Sequence, residues 1–261
     1  MTNTLHLIPA DIEAIERATL DAVAPQWVEA LDDEAWLLPM DTGTIGRARS
    51  AVPLRHEAPR AAPAALLQRI EARYAVRGLP VQLRLADATC FDGLAAALAS
   101  RGYQAAKPTH TQVASARAMR VPGAGAAADI DAAPDAAWAQ VFLGPGFDPV
   151  DGASRVQALA RSGGNLFASV RENGATLAAG SVSFGHGWAR VHGMRTLQSA
   201  RGRGLARRVL AGLAQAALDR GFEHVFLQVE AGNEPALALY RRAGFAQAWT
   251  YRYWQRTRAA S

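Results

Sequence analysis

The sequence has almost nothing that could crosslink it, hold a thiolate-bound metal or cross a membrane. Cys90 is the only cysteine, which excludes an internal disulfide framework and a zinc site built on several thiolates. No apolar run approaches the ~20 residues that a membrane-spanning helix needs. The N-terminus lacks a basic segment followed by an apolar one, so we expect no signal peptide. We therefore expect a cytoplasmic protein with no membrane partner.

Aromatic residues and acidic charge are also scarce. The sequence has 28 Lys and Arg against 23 Asp and Glu, and aromatics make up 7% of it. These aromatics do not alternate with the basic residues as base-stacking platforms would, so we expect no nucleic-acid partner. His186 and His192 lack ligand spacing and have no carboxylate or cysteine cluster beside them, so we expect no metal site. A polyanionic small molecule, or an arginine-rich proteome, explains the excess of positive charge as well as nucleic acid does.

The length of 261 residues predicts two domains, at roughly 150 residues each. Helical periodicities and alternating, strand-like patterns occur in both halves, so the predicted class is α/β (α+β). An Ala/Gly/Pro-rich stretch predicts a linker at 119–128, between domains 1–118 and 129–261. In the first half, the helical pattern is interrupted at Pro25, and we expect a second short helix through Trp27 and Leu31.

The two halves share a repeated pattern. Val225–Phe245 and Leu83–Tyr103 each contain an alternating strand, a short connection, an Ala/Leu-rich helix and a Gly-aromatic pair. The first copy places Leu98 where the second has Tyr240, and no glycine loop precedes its longer helix. We interpret the chain as a duplication whose first half has lost an anion site and serves a structural or substrate-shaping role.

In the second half, an anion site is predicted at Ser199–Ala206. A strand-like stretch, Trp188–Arg195, precedes this glycine-rich turn, and a helical stripe of apolar residues follows it. A glycine turn that opens a helix directs free backbone N–H groups and the positive end of the helix dipole at one point, which favours a phosphate. A dinucleotide fingerprint is excluded because Arg207 stands where Gly or Ala is needed, and no Gly-Lys-Ser/Thr of a P-loop is present.

The turn belongs to a longer ordered set of motifs. Arg201, Gly204 and Ala206 are followed at consistent spacing by Asn233, Leu239-Tyr240 and Gly244-Phe245. This set resembles the GNAT superfamily of N-acetyltransferases, from about residue 129 to 254. The whole chain is similar to bacterial tandem GNAT proteins with a degenerate first half. The resemblance implies two GNAT-like domains, each a mixed, mostly antiparallel sheet flanked by helices.

The resemblance also implies acetyl-CoA as cosubstrate. Backbone N–H groups of the turn would cradle its pyrophosphate, arginines would meet its phosphates, and a free strand edge would pair with its pantetheine arm. Asn233 would hold that arm or cap its own helix. The residues assigned to the cosubstrate are Met194, Arg195, Thr196, Arg201, Gly202, Arg203, Gly204, Leu205, Ala206, Arg207 and Asn233, with Arg208 as a further source of charge.

The implied reaction is direct attack of a primary amine on the thioester, with Tyr240 as general acid. Glu230 and His192 are both candidates for the base, and the sequence does not decide between them. A buried core aromatic is the alternative interpretation of Tyr240. A non-catalytic acyl-CoA sensor, or transfer of a different acyl group, are alternative functions. We expect the acceptor to be a small-molecule or peptide amine, and the chain to be a monomer or a homodimer.

Overall fold

The computed structural model describes residues 7–120, 127–144 and 148–256. The predicted fold class is confirmed: a large mixed sheet is flanked by helices and accompanied by a small antiparallel sheet. The helices in the described residues are α1 Pro9–Val23, α2 Pro63–Val76, α3 Asp92–Ser100, α4 Ala116–Met119, α5 Ala136–Leu143, α6 Pro149–Arg161, α7 Leu205–Asp219 and α8 Glu234–Arg242. Of the predicted linker, residues 121–126 lie outside the described residues.

The strands form two sheets. Their bounds are β1 Trp27–Leu31, β2 Trp36–Met40, β3 Val52–Pro53, β4 Gln82–Ala86, β5 Tyr103–Ser115, β6 Asp129–Asp131, β7 Leu166–Glu172, β8 Ala175–Gly185, β9 Trp188–Thr196, β10 His224–Glu230 and β11 Ala246–Arg256. The small sheet has the order β1-β2-β3. The large sheet has the order β4-β11-β5-β10-β9-β8-β7-β6.

The two halves of the sequence exchange strands within the large sheet. The strand β5, from the first half, lies between β10 and β11 and pairs antiparallel with both. In return, β11 from the end of the chain lies between β4 and β5. One continuous sheet therefore runs through both halves, and each half depends on a strand of the other for its hydrogen bonds.

One sequence prediction was wrong. The stretch through Trp27 and Leu31 is the strand β1, not a second short helix. It pairs antiparallel with β2, from Trp27 with Met40 to Leu31 with Trp36, across a short 3₁₀ turn that ends at Ala35 with φ of 53°. Five residues are too few for a stable isolated helix, whereas a hairpin partner nearby in sequence satisfies their backbone groups directly.

The main core lies beneath α7. The buried residues of this helix are Leu205, Val209, Leu210, Leu213, Ala214, Ala216 and Ala217. All of these except Ala216 belong to the core that packs on β7 to β10, as the four-residue spacing of apolar residues predicts. A second core packs α2 and α3 against β2, β4 and β5. Within the described residues, no helix combines the length and the apolar character needed to span a membrane.

Candidate active site

The centre of the large sheet opens between two parallel strands. Three residue pairs join β9 to β10, and the last of them is Arg190 with Phe226. Beyond this pair β9 continues to Thr196 and β10 to Glu230 without pairing to each other. The opening exposes two facing strand edges, whose N–H and C=O groups are available to an extended ligand. The predicted pantetheine edge, Met194–Thr196, lies on the β9 side of this opening.

A bulge lies on β9 beside the opening. The register between β8 and β9 shifts between Ser181 with His192 and Ala179 with Arg195, so two steps on β8 oppose three on β9. Gly193 within the bulge has φ of 64°, a conformation that favours glycine. Bulges interrupt the regular ladder and redirect backbone groups and side chains, and they are enriched next to active sites.

A cavity of about 790 Å³ occupies this region. Six of the sequence-predicted site residues line it, namely His192, Met194, Arg195, Glu230, Asn233 and Tyr240. Thr196, Arg201, Gly202, Arg203, Gly204, Leu205, Ala206 and Arg207 do not line it. The residues predicted to take part in catalysis therefore line one cavity, and the turn predicted to bind phosphate lies outside it.

The two faces of the opening are chemically different. On β9 and β10, Ala189, Val191, Val225, Leu227 and Val229 belong to the core beneath α7. Because side chains alternate along a strand, Arg190, His192, Gln228 and Glu230 project to the other face. That face is covered by α1 and by the loop 44–49 of the first half, and both strands contribute polar groups to it.

Tyr240 lies on the α7 side and reaches the cavity from α8. Its side chain is 7% exposed and stands edge-on to Phe245, with ring centroids 5.8 Å apart. Among the described residues, its hydroxyl has no hydrogen-bond partner. Burial raises the pKa of Tyr240 to about 12, so the hydroxyl is a proton donor at neutral pH.

Asn233 connects the cavity to the start of α8. Its side-chain oxygen accepts a hydrogen bond from the backbone N–H of Ala236 at 3.3 Å, which caps the helix. Of the two roles considered for Asn233, the structure therefore contains the cap. Its position on the cavity wall leaves the other role as a prediction.

The two candidate bases differ in solvation. Glu230 is exposed at the end of β10, whereas the Nε2 atom of His192 is buried without a hydrogen-bond partner. Burial, with Arg190 and Arg47 nearby, lowers the pKa of His192 well below its ordinary value. His192 is therefore a neutral imidazole at pH 7, and its side chain is half-buried whereas Glu230 is exposed.

The glycine turn is built as an open backbone cradle. Gly202 and Gly204 have φ of 78° and 75°, and a Cβ built on either would meet no atom within 4 Å. Gly204 begins α7 without a side-chain cap, so the first N–H groups of the helix lack a side-chain acceptor. Open space before an uncapped helix start fits a phosphate group. Arg203 differs from expectation because it forms an ion pair with Glu172, with oxygens at 2.5 and 2.7 Å.

Comparison with known families decides the relationship. A family model described as "Probable histone acetyltransferase Rv0428c C-terminal" matches residues 9–254. The chain belongs to this family. It is thereby a member of the GNAT superfamily, and the match extends over both halves of the sequence. No curated protein matches the sequence significantly.

Solved structures share the fold. A GCN5-related N-acetyltransferase from Kribbella flavida superposes with a TM-score of 0.70 at 17% identity, covering 95% of this chain and 96% of that one. A GCN5-related N-acetyltransferase from Sphaerobacter thermophilus gives a TM-score of 0.59 at 17% identity, with 96% and 93% covered. A tandem GNAT protein from the clavulanic acid biosynthesis pathway gives 0.61 at 15% identity, with 96% of each chain covered. Both halves of this GNAT chain therefore take part in the shared fold.

Sequence reasoning missed the cationic wall of the cavity. The lining also includes Arg47, Arg49, Lys107, Arg155, Arg190, Gln228 and Tyr253. The sequence does contain a signal for Arg190, because a charged residue stands in the middle of a strand that must be covered on both faces. The sequence around Arg47 gave no such signal, since the position of Arg47 follows from the strand exchange.

Within the described part of the chain, no group of three or more His, Cys, Asp or Glu side chains is arranged to hold a metal ion.

Proposed function

We propose that this GNAT protein is an N-acetyltransferase that moves the acetyl group of acetyl-CoA to a primary amine. The observation that carries the proposal is the single cavity at the strand opening, lined by Tyr240, Glu230, His192 and Asn233. The family of the chain supports the same reaction class. We assign cosubstrate binding to residues 129–261 and treat residues 1–118 as the degenerate copy.

The open turn is the proposed phosphate site. Backbone N–H groups from Gly202 to Ala206 would bind the pyrophosphate, with Arg201 and Arg207 adding charge. Arg203 would have to leave Glu172 to join them. The free edge at Met194–Thr196 would pair with the pantetheine arm, as an added strand does. Acetyl-CoA supplies the acetyl group in activated form, as a thioester.

The residues of the cavity then have distinct proton-transfer roles. Tyr240 Oη donates a proton to the departing sulfur, which its raised pKa permits throughout the neutral range. A backbone N–H near Met194 would stabilise negative charge on the carbonyl oxygen. Glu230 is the favoured base, because an exposed carboxylate can pass the proton of the incoming ammonium to water. His192 is disfavoured because protonation would place a third positive charge beside Arg190 and Arg47.

Coenzyme A binding can be tested with two matched glycine variants. Gly204→Ala and Gly174→Ala both replace a glycine of positive φ, at 75° and 79°, where a Cβ meets no atom within 4 Å. Both should lose a similar stability, about 1–2 kcal/mol. Only Gly204→Ala should weaken coenzyme A binding in calorimetry, by about 10-fold or more, because it alters the proposed cradle. Equal affinities of the two variants would contradict the phosphate site.

Turnover separates the enzyme from the acyl-CoA sensor. Coenzyme A release is measured with acetyl-CoA and a panel of amines, and release above the hydrolysis background supports the transferase. Binding of coenzyme A without turnover of any amine would favour the sensor. Competition between acetyl-CoA and longer acyl thioesters decides which acyl group is used.

A further inference from the structure

Two arginines in the cavity wall, the buried Arg190 and the half-buried Arg47, form no ion pair with an acidic residue in the described part of the chain. Arg190 is 1% exposed. Its Nη1 donates to the carbonyl of Thr19 at 3.4 Å and its Nη2 to Oε1 of Gln228 at 3.5 Å. Its Nε has no hydrogen-bond partner. Both contacts are long and both acceptors are neutral, and no carboxylate of the described residues lies within 4.0 Å of Arg190. The charge of Arg190 is therefore poorly compensated by the protein itself.

Arg47 is in a similar position. Its Nη1 donates to the hydroxyl of Tyr251 at 3.4 Å, and its buried Nε has no partner. The acidic side chain that acts electrostatically on Arg47 is Glu230, which is exposed at the end of β10 and forms no ion pair with Arg47. No ion pair within 4.0 Å joins Arg47 to an acidic residue in the described part of the chain. Two guanidinium groups consequently line one cavity with donors unused.

A buried cation without a partner is costly, and an anionic ligand removes the cost. We propose that the acceptor amine carries a carboxylate, which Arg47 and Arg190 bind. This inference depends on the proposed transferase function and names its substrate class. Arginine is suited to the task because its planar fork matches a carboxylate with paired hydrogen bonds.

The position of the arginines assigns the anion to the acceptor. Arg190 projects to the face of the sheet opposite α7, whereas the proposed phosphate turn is at the start of α7. Glu230 projects to the same face as Arg190 and also lines the cavity. An ammonium near Glu230 and a carboxylate on the arginines describe an amino acid, or a short peptide with a free carboxylate. Polyamines and aminoglycosides would instead bring only positive charge to the arginines.

The first experiment compares acceptors that differ in one charge. Free amino acids and dipeptides are assayed beside their C-terminal amides and their decarboxylated amines, by coenzyme A release from acetyl-CoA. The acid should exceed its own amide in kcat/KM by about 10- to 100-fold, the range expected for a charge-assisted contact. Uncharged amines are also assayed with succinyl-CoA, which tests whether the anion belongs to the acyl group.

The second experiment removes one guanidinium. Arg47→Gln should reduce the ratio of kcat/KM for the acid to kcat/KM for the amide to near one, because the loss in kcat/KM should fall mainly on the acid. A purely structural role would lower both values together. Arg117→Gln is the control, because Arg117 is exposed and pairs with Glu223 away from the cavity. Binding can also be measured without turnover, by calorimetry of the acid and of the amide binding to the complex of the protein with coenzyme A.

The outcomes are separable. Preference for the acid, lost in Arg47→Gln and retained in Arg117→Gln, supports the inference. The inference would be overturned if kcat/KM for the acid and for the amide were within threefold of each other, or if the best acceptor lacked a carboxylate. It would also be overturned if the enzyme preferred succinyl-CoA with uncharged amines, or if it bound coenzyme A but used no acceptor that carries a carboxylate. Absence of both coenzyme A binding and turnover would refute the proposed transferase function itself.

Discussion

Replacing Tyr240 by phenylalanine isolates a single oxygen atom. The ring can keep its edge-on contact with Phe245, since only the hydroxyl is lost. Because that hydroxyl has no hydrogen-bond partner among the described residues, its removal should change stability by less than about 1 kcal/mol. The melting temperature should therefore shift by no more than about 4 °C. The variant tests chemistry with little interference from folding.

The expected effect on catalysis is much larger. General acid catalysis contributes about 10²- to 10⁴-fold, so kcat should fall by that factor, which corresponds to about 3–5 kcal/mol of barrier. Coenzyme A affinity should be unchanged, because Tyr240 lies apart from the glycine turn. The measurement is coenzyme A release under saturating acetyl-CoA, beside calorimetry of coenzyme A binding.

The pH dependence gives a second check on Tyr240. Burial raises its pKa to about 12, above the ordinary value of 10.0. The folded protein therefore holds this proton at pH values where the unfolded chain begins to lose it. Its contribution to stability is complete below about pH 10 and is lost as the pH rises towards 12. Wild-type kcat should show no alkaline loss from Tyr240 below about pH 10. A Tyr240→Phe variant that keeps more than a third of kcat would make Tyr240 a core aromatic.

Two further predictions concern packing and buried charge. Gly180→Ala should destabilise the fold by about 1–3 kcal/mol, since its Cβ would lie 2.7 Å from Cγ1 of Val209, whereas Gly163→Ala, with no atom within 4 Å, should be nearly neutral. Equal melting temperatures would contradict this. Glu16→Gln should cost about 3–5 kcal/mol in chemical denaturation, because the 1% exposed Arg84 would lose its carboxylate at 2.6 Å. A loss below about 1 kcal/mol would show that Arg84 finds another partner.

Local signals in the sequence predicted the second half well. Asn173-Gly174 predicted a hairpin, and the structure has this turn with φ of 50° and 79° between β7 and β8. Gly204 predicted the start of a helix, and α7 begins there. These features depend on backbone conformations that few residue types adopt, so they can be predicted from the local sequence without knowledge of tertiary contacts.

The central position of the strand β5 could not be predicted from the local sequence in the same way. Three of its polar residues, Thr109, Thr111 and Gln112, are at most 7% exposed although polarity favours a surface position. Their burial follows from the neighbours β10 and β11, which come much later in the chain. Long-range pairing of this kind overrides local hydropathy. The same exchange explains why Arg47 escaped prediction.

The strand exchange also gives the first half of the chain a position in the site. Gly46 packs so closely on β11 that a Cβ there would lie 2.9 Å from the ring of Tyr253, and its neighbour Arg47 reaches Tyr251 on the same strand. The strand β11 follows directly after Phe245, which contacts Tyr240. These contacts through β11 therefore fix Arg47 relative to Tyr240, the proposed general acid. Through its contacts with β11, the first half supplies Arg47, which joins Arg190 of the second half in the wall on which we propose the acceptor binds.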